Sequence, residues 1–207
     1  MTSAEMKYRF DIKMRDILKS VNHPFTTQDI NRFLNEAQLN LVKGYADIFE
    51  RNEDARKILS VLVKSFTTST IASYAAFEYA NAFLITGLPD VLNVVLERVN
   101  KSMTIKVKPM SSDELTVNAN NPFKKPDINT VWRLDVENNH VLITDGTLIL
   151  TSYFCLYIDM PPNIDIDDET KPCVLQEQIH EDIVNNAVQS ALNVINRTLQ
   201  LNRPLNN

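Results

Sequence analysis

The sequence predicts an α+β fold, an antiparallel helical bundle with a small antiparallel β subdomain inserted into it. Three observations lead there. Apolar residues recur at spacings of three and four near both ends of the chain, the middle alternates apolar with polar residues, and proline, Asn and Gly turn signals separate the two kinds of segment. The organisation that follows is 1–87 as the first part of the bundle, 88–162 as the inserted β-rich subdomain, and 163–207 as an acidic loop and a C-terminal helix that completes the bundle.

Taken in order, Met6, Phe10, Met14, Ile17, Leu18 and Val21 share one helical face, and His23-Pro24 ends that helix because the residue before proline avoids the helical region. Thr26 and Thr27 then offer an N-cap with Asp29 in the first turn, and Ile30, Phe33, Leu34, Ala37, Leu41, Tyr45, Ile48 and Phe49 predict a long second helix. Beyond the polar turn at Asn52-Glu53-Asp54, the stripe Ala55, Ile58, Leu59, Leu62 and Phe66 predicts a third helix, antiparallel to the second. Thr67 to Thr86 is undecided, since its alanines favour helix and its Thr, Tyr and Phe favour extended chain.

From Leu88-Pro89 onward, Val91 to Val99 reads as a strand, and so does Met103 to Val107 with its intervening Thr104, Lys106 and Lys108. Pro109, Pro122 and Pro126 delimit a polar excursion. Val131 to Val136 starts a second β run, Asn138-Asn139 is a turn, Val141 to Thr144 a strand, and Asp145-Gly146 a hairpin signal leading to a strand over Thr147 to Ile158. Pro161-Pro162 closes the β region. After the acidic loop from Asn163 to Thr170, a last helix begins behind Pro172 with the stripe Ile179, Ile183, Val184, Ala187, Val188, Ala191, Leu192, Ile195 and Leu199, and the polar tail from Asn202 to Asn207 frays.

Composition narrows the function. With 44% hydrophobic and 23% charged residues the chain is globular in character, and its formal charge of −5 argues against sequence-independent nucleic-acid binding, which needs a cationic surface. Three isolated glycines in 207 residues, Gly44, Gly87 and Gly146, leave no glycine-rich loop to cradle a phosphate. No signal-peptide core or membrane-length apolar run is present, so the expectation is a soluble chain made in a cytoplasm, with Cys155 and Cys173 as reduced structural thiols.

Candidate sites are few. His23, His140 and His180 fall in a loop, a turn and a helix without a zinc spacing, and a surface position on the last helix suits His180 better than a general-base role beside Glu181 and Asp182. Asp165, Asp167, Asp168 and Glu169 begin like a calcium loop but lack its glycine and its terminal glutamate, so a solvated loop near the start of the last helix is the reading. No catalytic residue, metal site or cofactor is expected, and the chain reads as an assembly component rather than an enzyme.

A charge asymmetry carries the remaining signal. Lys101, Lys106, Lys108, Lys124, Lys125 and Arg133 outnumber Asp113, Glu114 and Asp127, whereas Asp159 to Asp182 is acidic apart from Lys171. Opposed patches suit a head-to-tail contact that closes into a ring, although each also suits an ordinary wet surface. The candidate interface residues are therefore Lys106, Lys108, Lys124, Lys125, Trp132, Arg133, Asp165, Asp167, Asp168 and Glu169. Trp132 fits either the core of the sheet, the better reading, or an anchor at a contact.

The run Asn31-Arg32-Phe33-Leu34-Asn35-Glu36-Ala37-Gln38 with its following helical hairpin, Asn121-Pro122-Phe123-Lys124-Lys125-Pro126 with Trp132-Arg133-Leu134, and Glu177 to Ala191 resemble head-to-tail connector ring proteins of tailed bacteriophages, most of all those of crAss-like phages. The likeness runs from about residue 26 to 198, and the Ala-rich stretch from Ala72 to Ala82 departs from it. The resemblance implies a virion structural protein at the head-tail junction. It would dock on the portal, form a homo-oligomeric ring of twelve copies, contact a neighbouring tail or ring protein, and pass DNA through its channel without specific binding or any membrane. The alternative is a non-enzymatic regulatory or adaptor module that binds a protein partner through its C-terminal helix.

Overall fold

The computed structural model describes residues 1–19, 24–74, 81–119, 121, 124–137, 139–168 and 171–201, without the side chains of residues 119 and 199–201. Two compact units emerge: Met1–Leu62 together with Met160–Asn207, and Val63–Asp159.

The first unit is helical because its sequence supplies both stripes and caps. Helix α1 (Ser3–Leu18) starts on Thr2, whose side chain accepts from the Glu5 N–H while Glu5 accepts from the Thr2 N–H. Helix α2 (Thr27–Asp47) repeats that device with Thr26 and Asp29. Helix α3 (Glu53–Leu59) is capped by Asn52, which accepts from the Asp54 and Ala55 N–H groups. A 3-10 turn at Glu177–Ile179 leads into α5 (His180–Leu201). Met6, Phe10 and Met14 from α1, Ile30, Phe33 and Leu34 from α2, and Ile183, Val184 and Ala187 from α5 are all buried, with the Phe10 and Phe33 rings stacked at 6.4 Å.

One face of α2 serves a different purpose. Asn31, Asn35 and Gln38, spaced by four and three, clamp the extended segment that follows Pro161. Asn35 Nδ2 donates to the Ile164 carbonyl at 2.9 Å while its Oδ1 accepts from the Ile164 N–H at 2.7 Å. Asn31 Oδ1 accepts from the Ile166 N–H at 3.0 Å, and Gln38 Nε2 donates to the Pro162 carbonyl at 2.9 Å. A helix here does for an extended chain what a neighbouring strand would, satisfying its backbone polar groups.

The second unit holds two sheets. The strands are β1 (Val63–Thr68), β2 (Ala72–Ser73), β3 (Asn81–Ile85), β4 (Val91–Val99), β5 (Lys106–Met110), β6 (Thr130–Val136), β7 (Asn139–Thr144) and β8 (Tyr153–Asp159), with helix α4 (Ser112–Ala119) between β5 and β6. One sheet has three strands in the order β1-β8-β4 and the other has five in the order β2-β3-β7-β6-β5. Ile85, Val99, Val131, Leu142, Tyr153 and Cys155 form one buried cluster, and Trp132, Leu134, Val141, Ile143, Met110 and Leu115 of α4 form another.

The expected helical bundle with a small antiparallel insert is therefore overturned. The fold is α+β, but two sheets of three and five strands stand where a minor subdomain was expected. The predicted helix through Leu62 and Phe66 stops at Leu59, and Phe66 lies on β1 opposite Cys155. The β-branched run Val61, Val63, Thr67, Thr68 favours extended chain, and β8 satisfies its backbone. The sheets are not wholly antiparallel, since β5 and β6 pair in parallel.

Within that parallel pair, Pro109 sits inside β5, which tolerates it as an edge strand, and α4 fills the supposed polar excursion. Asp145-Gly146 makes a turn but no hairpin, because β7 pairs with β3 and β6 while β8 pairs with β1 and β4. The last helix begins several residues after Pro172. The expectations for Val21 and His23, for Asn138 in the turn, for Pro122 and Phe123, for residues 75–80 and for the tail 202–207 lie outside the described residues.

Replacing Asn35 by Leu removes both bonds to Ile164 and leaves that N–H and carbonyl unmet. Chemical denaturation of the full chain is expected to show a loss of about 2 kcal/mol or more, since each stranded group costs about 1–3 kcal/mol. An unchanged midpoint and slope would remove the clamp from the account of the fold.

Candidate functional site

Strands β4, β6, β7 and β8 bring together a set of polar side chains scattered over the sequence. Arg133 Nη1 donates to Glu97 Oε2 at 2.5 Å, with side-chain exposures of only 9% and 6%. Arg133 Nε faces Asp135 Oδ1 at 2.9 Å, an ion pair rather than an aligned hydrogen bond. Tyr153 gives its proton to Glu97 Oε1 at 2.5 Å, so the 2.7 Å contact between His140 Nδ1 and the phenol oxygen runs from the imidazole N–H. Glu97 and Tyr153 belong to the three-stranded sheet and Arg133 and His140 to the other, so the group ties one sheet to the other.

The protonation states follow from this packing. Burial, reinforced by the Arg133 charge, pushes His140 down to about 4 despite Asp135, so the ring is neutral near pH 7. Burial raises the Glu97 carboxyl, and the Arg133 charge and the Tyr153 bond pull it back. Burial also works against the Arg133 charge, but Glu97 and Asp135 outweigh it and hold Arg133 above its usual range. Burial and the Glu97 charge push the Cys155 thiol up to about 11, and Tyr153 is raised by burial first and Glu97 second. Chemically this is a nearly closed circuit, in which Tyr153, His140 and Arg133 Nη1 each have an acceptor and Arg133 Nε is held by the Asp135 charge alone.

Beside the circuit opens a cleft of about 300 Å³, with Leu88, Leu92 and Val94 on one side and Arg133, Asp135 and His140 on the other. Asp135 and Glu137 line it and are exposed, and Asp90, also exposed, is the sequence neighbour of the lining residues Pro89 and Val91.

The residues singled out from sequence separate into different settings. Lys106 and Lys108 stand exposed on the edge strand β5, and Lys124 and Lys125 are exposed in the loop before β6. Trp132 is buried in the cluster with Leu115, and Arg133 in the ion pair. Asp165 accepts from Asn31 Nδ2 at 3.3 Å and from the Asp167 N–H at 3.1 Å, and Lys171 Nζ lies 3.2 Å from Asp168 and 3.9 Å from Asp165. Glu169 lies outside the described residues.

His180 is not a surface residue. It is buried, with Nε2 2.9 Å from the Leu175 carbonyl. Cys155 and Cys173 are both buried and free, and Cys173 Sγ donates to Gln38 Oε1 at 3.2 Å. Among the described residues, no three His, Cys, Asp or Glu side chains gather as a metal site would require, and no helix is long and apolar enough to cross a membrane.

Sequence reading missed the polar circuit and the cleft. Glu97, Arg133, Asp135, His140 and Tyr153 have no common spacing, and only strand pairing assembles them. The one available signal was Arg133 itself, a charge inside the apolar strand Val131-Trp132-Arg133-Leu134, which demands a buried partner.

Comparison with known proteins bears on the whole chain. A family model described as phage tail ring protein 3/4 matches residues 1–204. The chain is also 24% identical, over 224 aligned positions, to Ring protein 3 of Bacteroides phage crAss001, an alignment covering 93% of this chain and 95% of that protein.

Arg133→Met strands the Glu97 carboxylate and is expected to cost about 3–5 kcal/mol in denaturant melts, with Glu97→Leu added to it recovering much of the loss. A double variant as unstable as the single would show that the pair does not act as a unit.

The His140 ring, charged in the unfolded chain below about pH 6.5, stays neutral in the fold down to about 4. Its contribution to stability is therefore full above 6.5 and is lost as pH falls through 4. His140→Gln should flatten the acid side of the stability profile over that window, and parallel profiles for the two proteins would contradict this.

Proposed function

The chain belongs to the phage tail ring protein 3/4 family, and from that membership we propose a non-enzymatic virion subunit that builds a closed ring at the head-tail junction. In this reading the ring has twelve copies, docks on the portal protein on one side and a neighbouring tail or ring protein on the other, and extends the channel for DNA. The match over residues 1–204 carries the proposal, because it spans both compact units rather than one shared module.

Physical features support it. The formal charge of −5 suits a channel that must not retain DNA, since a cationic lumen would bind phosphates and slow passage. Lys106, Lys108, Lys124 and Lys125 are exposed and supply the basic side of contacts between neighbours. Asp165, Asp167 and Asp168 can supply acidic contacts, weakened by the Lys171 and Asn31 partners that Asp165 and Asp168 already have. Trp132 and Arg133 act from within, by fixing the sheet that carries β5.

The alternative adaptor role draws on α5, whose last turns past Ala191 expose Val194. Co-purification with a non-virion protein, lost on truncating those turns, would favour it.

For the ring reading, mass photometry and negative-stain images of the purified full chain are expected to show closed rings, alone or with portal protein, and class averages to show twelve-fold symmetry. A chain that stays monomeric in both settings would sink the proposal.

A further inference from the structure

The β unit has two chemically opposite ends. Strand β4 runs between them, and its nine residues span about 30 Å at roughly 3.3 Å each. Its first residues, Val91 to Val94, line the cleft together with the exposed Asp135 and Glu137, and the exposed Asp90 directly precedes them in the chain. Its last residue, Val99, leads into a set of loops stitched together at the other end. Asn100 Nδ2 donates to the Ile149 carbonyl at 2.7 Å, Asn100 Oδ1 accepts from the Thr151 N–H at 2.7 Å, and the Lys106 N–H donates to the Asn129 carbonyl at 2.7 Å.

That second end displays what a folded surface normally hides. Met103 is 79% exposed, Ile149 73% and Ile128 63%, one on each of three adjoining loops. Lys101 and Lys106 are exposed among them and make no ion pair within 4.0 Å among the described residues. The carboxylates nearby are turned onto their own backbone: Asp127 accepts from the Asn129 N–H, and Asp145 from those of Thr147 and Leu148. The tip therefore presents exposed apolar side chains beside two lysines that no carboxylate among the described residues engages directly, with the Asp127 and Asp145 charges held on backbone N–H groups.

The tip is also held in shape. Asn100 and Lys101 both adopt left-handed backbone, φ 54° and 57°, a conformation that non-glycine residues seldom take, Asn more readily than Lys. The Asn100 side-chain bonds to the 149–152 loop maintain it.

We propose that the β units of neighbouring copies dock head to tail, with the Met103–Ile128–Ile149 tip of one copy in the Leu92–Val94 cleft of the next and Lys101 and Lys106 facing Asp90 and Glu137. The occupant is a second copy because one chain carries both halves of the match: exposed Met103, Ile128 and Ile149 beside Lys101 and Lys106 at one end, and at the other a mixed cleft in which Leu88, Leu92 and Val94 stand beside Asp135 and Glu137. Such a heterologous contact generates a ring when its rotation closes. The inference rests on the ring reading and specifies the surface it uses.

Charge exchange tests it on the full chain. Lys101→Glu with Lys106→Glu makes both ends acidic, and Asp90→Lys with Glu137→Lys makes both basic. Each variant alone is expected to self-associate roughly tenfold or more weakly than the parent by analytical ultracentrifugation at low salt, because like charges then meet. An equimolar mixture of the two, and the chain carrying all four changes, should assemble again. Far-UV spectra and melting midpoints matching the parent establish that the variants are folded.

If the parent forms rings and both variants form them equally well, or the mixture fails to recover, the proposed surface is wrong while the ring reading stands. A parent chain that remains monomeric alone and with portal protein overturns both.

Discussion

Arg133 cannot shed its charge, so wherever the β unit buries it a carboxylate must be waiting. That requirement governs the β unit. Glu97 meets it from the opposite sheet, which fixes how β4 lies over β6. Two register shifts in β4, between Val91 and Asn93 and between Val94 and Leu96, make this possible. Each drops one residue out of the pairing with β8, so Val91, Val94, Glu97 and Val99 are spaced by three, three and two instead of alternating. The same irregular stretch lines the cleft. The ion pair, the bulged strand and the open end of the sandwich are thus one solution to one buried charge.

The helical unit depends on an analogous device built from neutral groups. The segment Asn31 to Gln38 does two jobs at once. Phe33, Leu34 and Ala37 fill the core, and Asn31, Asn35 and Gln38 hold the chain after Pro161 through its own backbone. Pro161 and Pro162 cannot donate, which rules out a regular ladder for this stretch, and side-chain amides replace it. This gives physical content to a run of residues that in the sequence was only a likeness to a family.

Legibility followed the range of the forces involved. Helices α1, α2 and α5 were readable because caps and stripes are local: Thr26 and Asp29 announce a start, and Ile183, Val184 and Ala187 announce a face. The failures lie where a distant partner decides. Leu62 and Phe66 fit a helical stripe, but β8 offered Phe66 a neighbour in Cys155. Asp145-Gly146 looks like a hairpin, yet Asp145 caps the Thr147 and Leu148 N–H groups and Asn81 Nδ2 donates to the Gly146 carbonyl, which turns the chain away from β7. Helix α4 was missed despite a local signal, the reciprocal bonds of Ser111 and Glu114. The exposed lysines could be named from sequence, but the cleft could not, since Val91 to Val94 meet Asp135 and Glu137 only through strand order.

Backbone strain in the β unit gathers at its two ends. Among the described residues, four non-glycine positions have positive φ: Lys19, Asn100, Lys101 and Glu137. Lys19 closes α1 in the ordinary left-handed manner of a helix end. The other three lie at the two ends of the β unit, two in the tip and one at the cleft mouth. Loops that merely connect strands can relax such strain, whereas loops shaped before association avoid losing that freedom at the moment of contact. In the proposed ring, a subunit that meets the same kind of neighbour on both sides gains most from this arrangement. The strain is small on each chain, and the proposed ring would repeat the benefit at every interface.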